Sequence, residues 1–480
     1  MTNLNKDKPN IIFILTDDQG PWALGCAGNH EIKTPNLDRL AEEGMRFENF
    51  FCTSPVCSPA RASILTGKIP SQHGIHDFIR ENDNPHLPYL NEHVSYTELL
   101  AKEGYVCGIS GKWGLGNDYE PQKGFSHWYV NLYDGGHYFN PKMVRNGEVV
   151  NGTGYLTDLI TQDALTFLEE GSNNDQPFYL SVHYTAPHHL WVGEHPQEYV
   201  DMYDDCSFES CPQETEHPWF LPLSNPSNVR DNPRENLKGY FAAVTAMDYN
   251  VGLIIDKLNK LGVRENTLIC FMSDNGFSCG QNGIWGKGNG TYPQNMFDNS
   301  VKVPAIFSQP GRIPTGQIHD ALLSQYDIMP TLLDYLHIDN PESNELPGSS
   351  FVSILEGKAD DERKHVVVYD EYGPVRMIRT KSYKYIHRYP FGPFEFYDLI
   401  KDQQEGNNLY DDPDYQDQIR VLRSELDRWF LQYVDPRIDG ARQPVTGTGQ
   451  SNLVNPSNED KPTFNQEGRL FKVGQTSKNS

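Results

Sequence analysis

The 480-residue chain carries 65 acidic against 40 basic residues, a formal net charge of −25, which excludes nucleic acid and an anionic membrane as general partners. Its hydrophobic content of 37% and mean hydropathy of −0.62 are low for a large enzyme, yet 23 Phe, 26 Tyr and 7 Trp supply bulky apolar surface for one large domain with a smaller appendage. An anionic substrate would need a local patch of cations to overcome this field, which salt screens beyond ~8–10 Å.

The polar residues 1–9 run directly into an apolar stretch and show no targeting segment. That pattern predicts a cytoplasmic protein, or a periplasmic or secreted one from which a signal has been removed. Residues 11–15 read as a strand buried on both faces, ending in Thr16-Asp17-Asp18-Gln19-Gly20. Similar runs at 105–110, 178–183, 267–273, 303–308 and 366–369 alternate with helical patterns at 35–43, 96–102, 156–169, 236–261 and 326–336. This alternation predicts an α/β fold over residues 9–370, a large mostly parallel sheet flanked by helices.

From 371 to 434 the texture changes. Short alternating segments at 375–379, 383–387 and 395–399 predict a smaller C-terminal antiparallel sheet. A helix over 414–434, with Ile419, Leu422, Leu426, Phe430 and Leu431 on one stripe, is expected to cover it. Residues 435–480 form a polar tail rich in Gly, Asn, Pro, Gln and Ser, disordered alone or docked against the body or another subunit. The eight cysteines show no dense framework; only Cys206 and Cys211 are spaced for a local disulfide, and a reduced pair is the alternative.

Three motifs carry chemistry. Asp17-Asp18 and Asp274-Asn275 follow two apolar strands, and a parallel sheet brings such strand ends to one edge. Hard oxygen ligands there suit calcium or magnesium, although both pairs are also ordinary turn formers. The third motif is Cys57-Ser58-Pro59-Ala60-Arg61, continued by Thr66-Gly67. Ser58 and Pro59 read as a helix start, hydroxyl at the cap and proline first inside, and Cys57 is either a reactive group or an inert thiol.

With these motifs the chain, from Pro9 to about Tyr433, resembles a type I sulfatase of the alkaline phosphatase superfamily. The matching pieces come in family order: residues 10–20, Thr34-Pro35-Asn36-Leu37-Asp38-Arg39-Leu40, the Cys57 signature, Gly111-Lys112-Trp113, Ala186-Pro187-His188, Ser273-Asp274-Asn275-Gly276 and Gly286-Lys287-Gly288. The resemblance implies that a maturation enzyme converts Cys57 to Cα-formylglycine. It implies a Ca²⁺ or Mg²⁺ ion held by Asp17, Asp18, Asp274, Asn275 and the matured residue 57, beside which the aldehyde hydrate attacks sulfur, releases the alcohol and then expels sulfate. Arg61 would hold the formylglycine, Lys112 and Lys287 would grip sulfate oxygens, and His188 would protonate the leaving alkoxide.

The substrate implied is a sulfated small molecule or, by preference, a sulfated glycan. Trp191 and Trp285 are candidates to stack on a sugar, and Arg80 to meet a second anionic group. Many relatives read Lys-Trp-His where this chain has Gly114, so the base for sulfate release is sought among His73, His76, His183, a hydrate oxygen or water. Asp298 is a candidate second-layer or substrate residue. Two other functions fit the same motifs: a phosphonate monoester or phosphodiester hydrolase of the same superfamily, and a sulfated-glycan-binding protein without turnover.

Overall fold

In the computed structural model, which describes residues 8–132, 136–171, 176–221, 229–358, 367–454 and 462–465, the first apolar run forms strand β1 (Asn10–Thr16), buried along its whole length. Alternate residues point to opposite faces: Ile11, Phe13 and Leu15 enter one core, Ile12 and Ile14 the other. A ten-stranded sheet forms around β1 from β2 (Met45–Phe51), β3 (Val106–Gly111), β4 (His127–Asn131), β5 (Lys142–Arg145), β6 (Glu148–Asn151), β7 (Phe178–His183), β8 (Thr267–Ser273), β9 (Ala305–Ser308) and β10 (Gln317–Ser324). Their order is β10-β2-β9-β8-β1-β7-β3-β4-β5-β6. Only β5 and β9 run against the other eight, as the pairings show. The sheet is therefore mostly parallel, as the alternation of strand and helix predicts.

Helices Pro35–Glu42, Leu156–Gly171 and Pro233–Leu261 cover one face, and Cys57–Thr66, Tyr96–Lys102 and Ile328–Tyr335 the other. Five strands, β2, β4, β5, β6 and β10, were not among the predicted ones. The edge strands β6 and β10, and β5 beside β6, are short or half exposed, so none has the continuous apolar run of a strand buried on both faces.

The second sheet is antiparallel, in the order β11 (Val367–Tyr372), β12 (Val375–Arg379), β13 (Tyr383–Arg388), β14 (Glu395–Asp398). The expected strand at 366–369 thus belongs to this smaller sheet, and a boundary at residue 370 cuts through it; Val366 lies outside the described residues. Helix Gln416–Tyr433 packs Ile419, Leu422, Leu426 and Phe430 against Val368, Ile378, Tyr385 and Phe396. Leu431, expected in that stripe, is 83% exposed, because one step of ~100° past Phe430 carries it off the covered face.

Of the tail, residues 435–454 and 462–465 lie against the body, with Val445, Gln450 and Phe464 buried; 455–461 and 466–480 lie outside the described residues. Cys206 and Cys211 are separate thiols. Among the described residues, no helix is long and apolar enough to cross a membrane.

A buried ionic clasp joins the two sheets. Asp298 takes Lys384 at 2.6 Å, Arg379 at 2.9 Å and Lys302 at 3.3 Å, and Lys384 also meets Glu405 at 2.5 Å. Asp298 is therefore a structural hinge pin rather than a substrate residue. Removing one partner of a buried pair strands the rest, so Asp298→Ala should cost ~3–5 kcal/mol in denaturant melts. Leu431→Ser should stay within about 0.5 kcal/mol of wild type; equal losses for both would contradict this placement.

Candidate active site

The parallel strands deliver the motif residues to one edge by register. Thr16 of β1 pairs with Ser273 of β8, so Asp17 and Asp18 emerge beside Asp274 and Asn275. Gly111 of β3 pairs with His183 of β7, placing Lys112 next to the segment that leads to His188. Asp17, Asp18 and Asp274 each present a carboxylate oxygen within 4.8 Å of the others, and Asp17, Cys57 and His188 form an overlapping group.

Helix Cys57–Thr66 brings in the nucleophile candidate at its first residue. Ser58 is not the cap: that position is Val56, and the Ser58 hydroxyl instead accepts the Ile79 N–H at 3.0 Å. Gly67 closes the helix at φ +68, with its N–H on Ser63 O, the left-handed stop that the Thr-Gly pair suggests.

Three cations interleave with the three carboxylates. Arg61, one turn into the helix, donates from Nε to Asp274 at 2.9 Å and from Nη1 to the Lys112 carbonyl at 3.0 Å, with Nη2 3.5 Å from Asp17. Lys112 lies 2.6 Å from Asp17. Lys287 reaches Asp18 at 2.5 Å, Cys57 Sγ at 2.8 Å, Asn275 Oδ1 at 3.4 Å and Asp17 at 3.9 Å. Its ammonium thus sits where the oxygens converge. Asn275 donates from Nδ2 to Asp18 at 2.7 Å and to Gly276 O at 2.9 Å, which turns its Oδ1 toward the same centre.

The ionisation states follow from this packing. Burial pushes Lys287 down, but Asp18, Cys57, Asp17 and Asp274 push it further up, so it stays charged. Burial also works against Asp17, yet Lys112, His188, Lys287 and Arg61 hold its carboxyl well below the usual range. Asp274 is pushed up to about 7 by burial and by Asp17, and Asp18 is raised chiefly by burial. Burial thus works against the charged forms of Asp18 and Asp274, and a divalent cation would favour them. The residues fit the group: carboxylate oxygens with an amide oxygen suit Ca²⁺ or Mg²⁺.

His188 presents Nε2 3.8 Å from Asp18. Its Nδ1 lies 2.8 Å from the His189 carbonyl; a carbonyl only accepts, so Nδ1 carries the proton and Nε2 is the open acceptor. Burial lowers His188 to about 4, against the pull of Asp17.

The remaining expectations divide. Trp191 and Trp285 are buried to 3% and 6% exposure, their rings 5.8 Å apart, with indole N–H groups on Pro187 O and Gln213 Oε1; neither is a platform for a sugar, because both fill the core beneath the site. Arg80 is half exposed and paired with Asp83. Gly114 has φ +71, a left-handed turn that glycine meets without strain. The proposed substitutes for an imidazole there hold structural bonds: His73 with Ser63 and Ile75, His76 with Ile438 O, His183 with Lys112 O.

Several residues went unremarked in the sequence. Tyr240 accepts the Gly20 N–H and donates to Asp18 O, holding Asp18 at φ +64. Gln325 donates to both Ser273 O and Asp274 O while accepting the Thr53 N–H. Tyr138 donates to His188 O at 2.6 Å and rests on His195, with ring centroids 4.6 Å apart. His189 stacks on His188 at 4.3 Å. Isolated Tyr, Gln and His residues carry no spacing signal, and only the fold reveals their partners.

A carboxylate cluster threaded by lysines and arginine at the carboxyl ends of parallel strands defines a hydrolase of anionic esters. Residues 9–338 match the family model described as Sulfatase, and residues 290–432 that described as N-sulphoglucosamine sulphohydrolase, C-terminal. The chain is 30% identical to an N-acetylglucosamine-6-O-sulfatase of Bacteroides thetaiotaomicron, with 89% of this chain and 87% of that protein covered. It is 34% identical to an ulvan-active sulfatase of Formosa agariphila, with 88% and 80% covered. A protein solved in complex with its substrate D-glucosamine-2-N,6-O-disulfate superposes at a TM-score of 0.76 and 26% identity, covering 90% of this chain and 99% of that one. The chain belongs to the sulfatase family of the alkaline phosphatase superfamily, and it is a sulfuric ester hydrolase.

His195 gives the site's supporting layer a measurable sign. Burial lowers its folded pKa to about 3, so it contributes stability above the unfolded value of about 6.5 that is lost as pH falls. His195→Gln should therefore cost more stability at about pH 7.5 than at about pH 5; a cost that grows on acidification would contradict a neutral buried imidazole.

Proposed function

We propose that this sulfatase removes a sulfate monoester from a sulfated carbohydrate, with Cys57 matured to formylglycine and Ca²⁺, or Mg²⁺, held by Asp17, Asp18, Asp274, Asn275 and the matured residue. The observation that carries the reading is the placement of Cys57 Sγ, 2.8 Å from Lys287 Nζ and 3.4 Å from Asp17 Oδ1, at the centre of the charged cluster. The sulfur marks where the hydrate's oxygens would stand. The sugar sulfates attacked by the relatives named above support the substrate class.

When bound, the metal and the aldehyde hydrate supply a hydroxyl nucleophile and a counter-charge for sulfate. The chain's own residues do the rest. Lys287 and Lys112, buried to 7% and 2% exposure, lose little solvation when they grip sulfate oxygens, so their attraction is stronger than it would be in water. Arg61 fixes the helix to Asp274 and to the Lys112 loop, which keeps nucleophile and lysine in one geometry. His188 Nε2, the open acceptor at rest, would first take up a proton within the site and could then pass it to the departing sugar oxygen.

Charge supports the same reading. Asp17, Asp18 and Asp274 balance Lys112, Lys287 and Arg61, so a dication leaves the centre locally positive inside a strongly anionic protein. Cys57 is 5% exposed, so a formylglycine-generating enzyme would meet it before the chain closes over it.

Maturation of the thiol to an aldehyde should lower the mass of the Cys57 peptide by ~18 Da in protein from its native host. Cys57→Ala should lower sulfate release from 6-sulfated N-acetylglucosamine at least ~1,000-fold while the protein stays folded. A rate within about tenfold of wild type would remove Cys57 from the nucleophile's role. Wild-type cleavage of an aryl sulfate without cleavage of any sugar sulfate would contradict the carbohydrate reading.

A further inference from the structure

The turn that carries His188 is pinned carbonyl by carbonyl. Ala186 O accepts the Asp17 N–H at 3.3 Å, and Pro187 O the Trp191 indole N–H at 2.8 Å. His188 O accepts the Tyr138 hydroxyl at 2.6 Å, and His189 O the His188 Nδ1–H at 2.8 Å. The His188 N–H is committed as well, to Thr185 O at 2.9 Å. Of the four donors to these carbonyls, one is the Asp17 backbone and two belong to the turn itself. Tyr138 is the side chain that reaches in from a separate segment, between β4 and β5.

Tyr138 is fully buried and held from every side. Its N–H donates to Glu194 Oε2 at 2.9 Å, and its carbonyl accepts the Leu156 N–H at 2.7 Å. Its ring stacks on Tyr155, with centroids 5.7 Å apart, and stands edge-on to His195 at 4.6 Å. Tyr155 and His195 are in turn joined, hydroxyl to Nδ1, at 2.9 Å. With ring and backbone both fixed, the hydroxyl has a set direction, and that direction is His188 O.

The place of this bond along the chain gives it a consequence for the imidazole. The peptide plane between His188 and His189 separates the imidazole from the His189 carbonyl that holds its Nδ1–H. Rotation of that plane would move the acceptor relative to the ring. Tyr138 grips the oxygen of that plane, so it keeps a proton on Nδ1 and leaves Nε2 directed at the cluster. Nε2 lies 3.8 Å from Asp18, and His188 groups with Asp17 and Cys57.

We propose that Tyr138 is a positioning residue for the protonation of the leaving oxygen: it holds His188 in the tautomer and orientation that deliver the proton from Nε2. The proposal rests on the reading of His188 given above. As the S–O bond breaks, its electron pair passes to the sugar oxygen, which takes the Nε2 proton; the Nδ1 proton stays on the His189 carbonyl, and the imidazole ends neutral.

The test compares N-acetylglucosamine 6-sulfate with 4-nitrophenyl sulfate on the full-length matured protein, because a nitrophenolate leaves without a proton and a sugar alkoxide does not. Tyr138→Phe keeps the ring and its contacts. It should lower kcat on the sugar about tenfold, the scale of one lost hydrogen bond, with KM and the aryl rate within about twofold of wild type. His188→Ala should lower the sugar rate at least ~100-fold and the aryl rate far less. Equal losses on both substrates in Tyr138→Phe, or no loss on the sugar, would overturn the inference while a selective His188→Ala keeps the reading of His188. Equal losses in His188→Ala would overturn that reading and the inference with it. Histidine ¹⁵N spectra test the same bond without turnover: His188, identified by the signal lost in His188→Gln, should carry its proton on Nδ1 in the wild type and show mixed tautomers in Tyr138→Phe. An unchanged tautomer in Tyr138→Phe would overturn the inference.

Discussion

The mutual repulsion of three buried carboxylates is the constraint on which the active end of this molecule depends. Asp17, Asp18 and Asp274 are brought together by the register of β1 and β8, and water cannot screen them there. Lys112, Arg61 and Lys287 offset the repulsion, while burial first and Asp17 second raise Asp274. The same interactions lock the Cys57 helix to the sheet through Arg61 and draw Lys287 onto residue 57. Holding the carboxylates and placing Cys57 are one set of contacts.

This arrangement also explains how an acidic protein handles an acidic substrate. The long-range field of the chain repels sulfate esters, but it is screened over about one Debye length. Lys112 and Lys287 are buried in the site, so an anion there would meet their ammonium groups with little competition from solvent. Most cations in the body are engaged in structural pairs, such as Arg376 with Glu371 and Asp439, or Arg388 with Glu395.

The centre of the fold was legible because β1, β7 and β8 are buried on both faces and read as unbroken apolar runs. The residues that follow them were legible for the same reason: a strand's end is visible, and so is the chemistry placed there. The short outer strands β5 and β6 carry no such run, and Leu431 shows that a stripe drawn on a helical wheel can be one residue too wide. The burial of Trp191 and Trp285 was not legible, because proximity in sequence to His188 and Lys287 says nothing of burial. Tyr240, Gln325 and Tyr138 could not be found at all from the sequence, since each works through backbone atoms of residues far along the chain. The polar composition of the tail left disorder and docking both open, and the buried Gln450 and Phe464 show docking of the described residues through contacts that composition does not encode.

The central claim is that the carboxylate cluster is built for a divalent cation beside residue 57. Calorimetric titration of metal-stripped protein with Ca²⁺, and separately with Mg²⁺, tests it most directly. The account predicts about one ion bound per chain, with affinity sharply reduced in Asp274→Asn, which keeps the shape of the side chain but removes its charge. Absence of binding, or binding unchanged in Asp274→Asn, would contradict it.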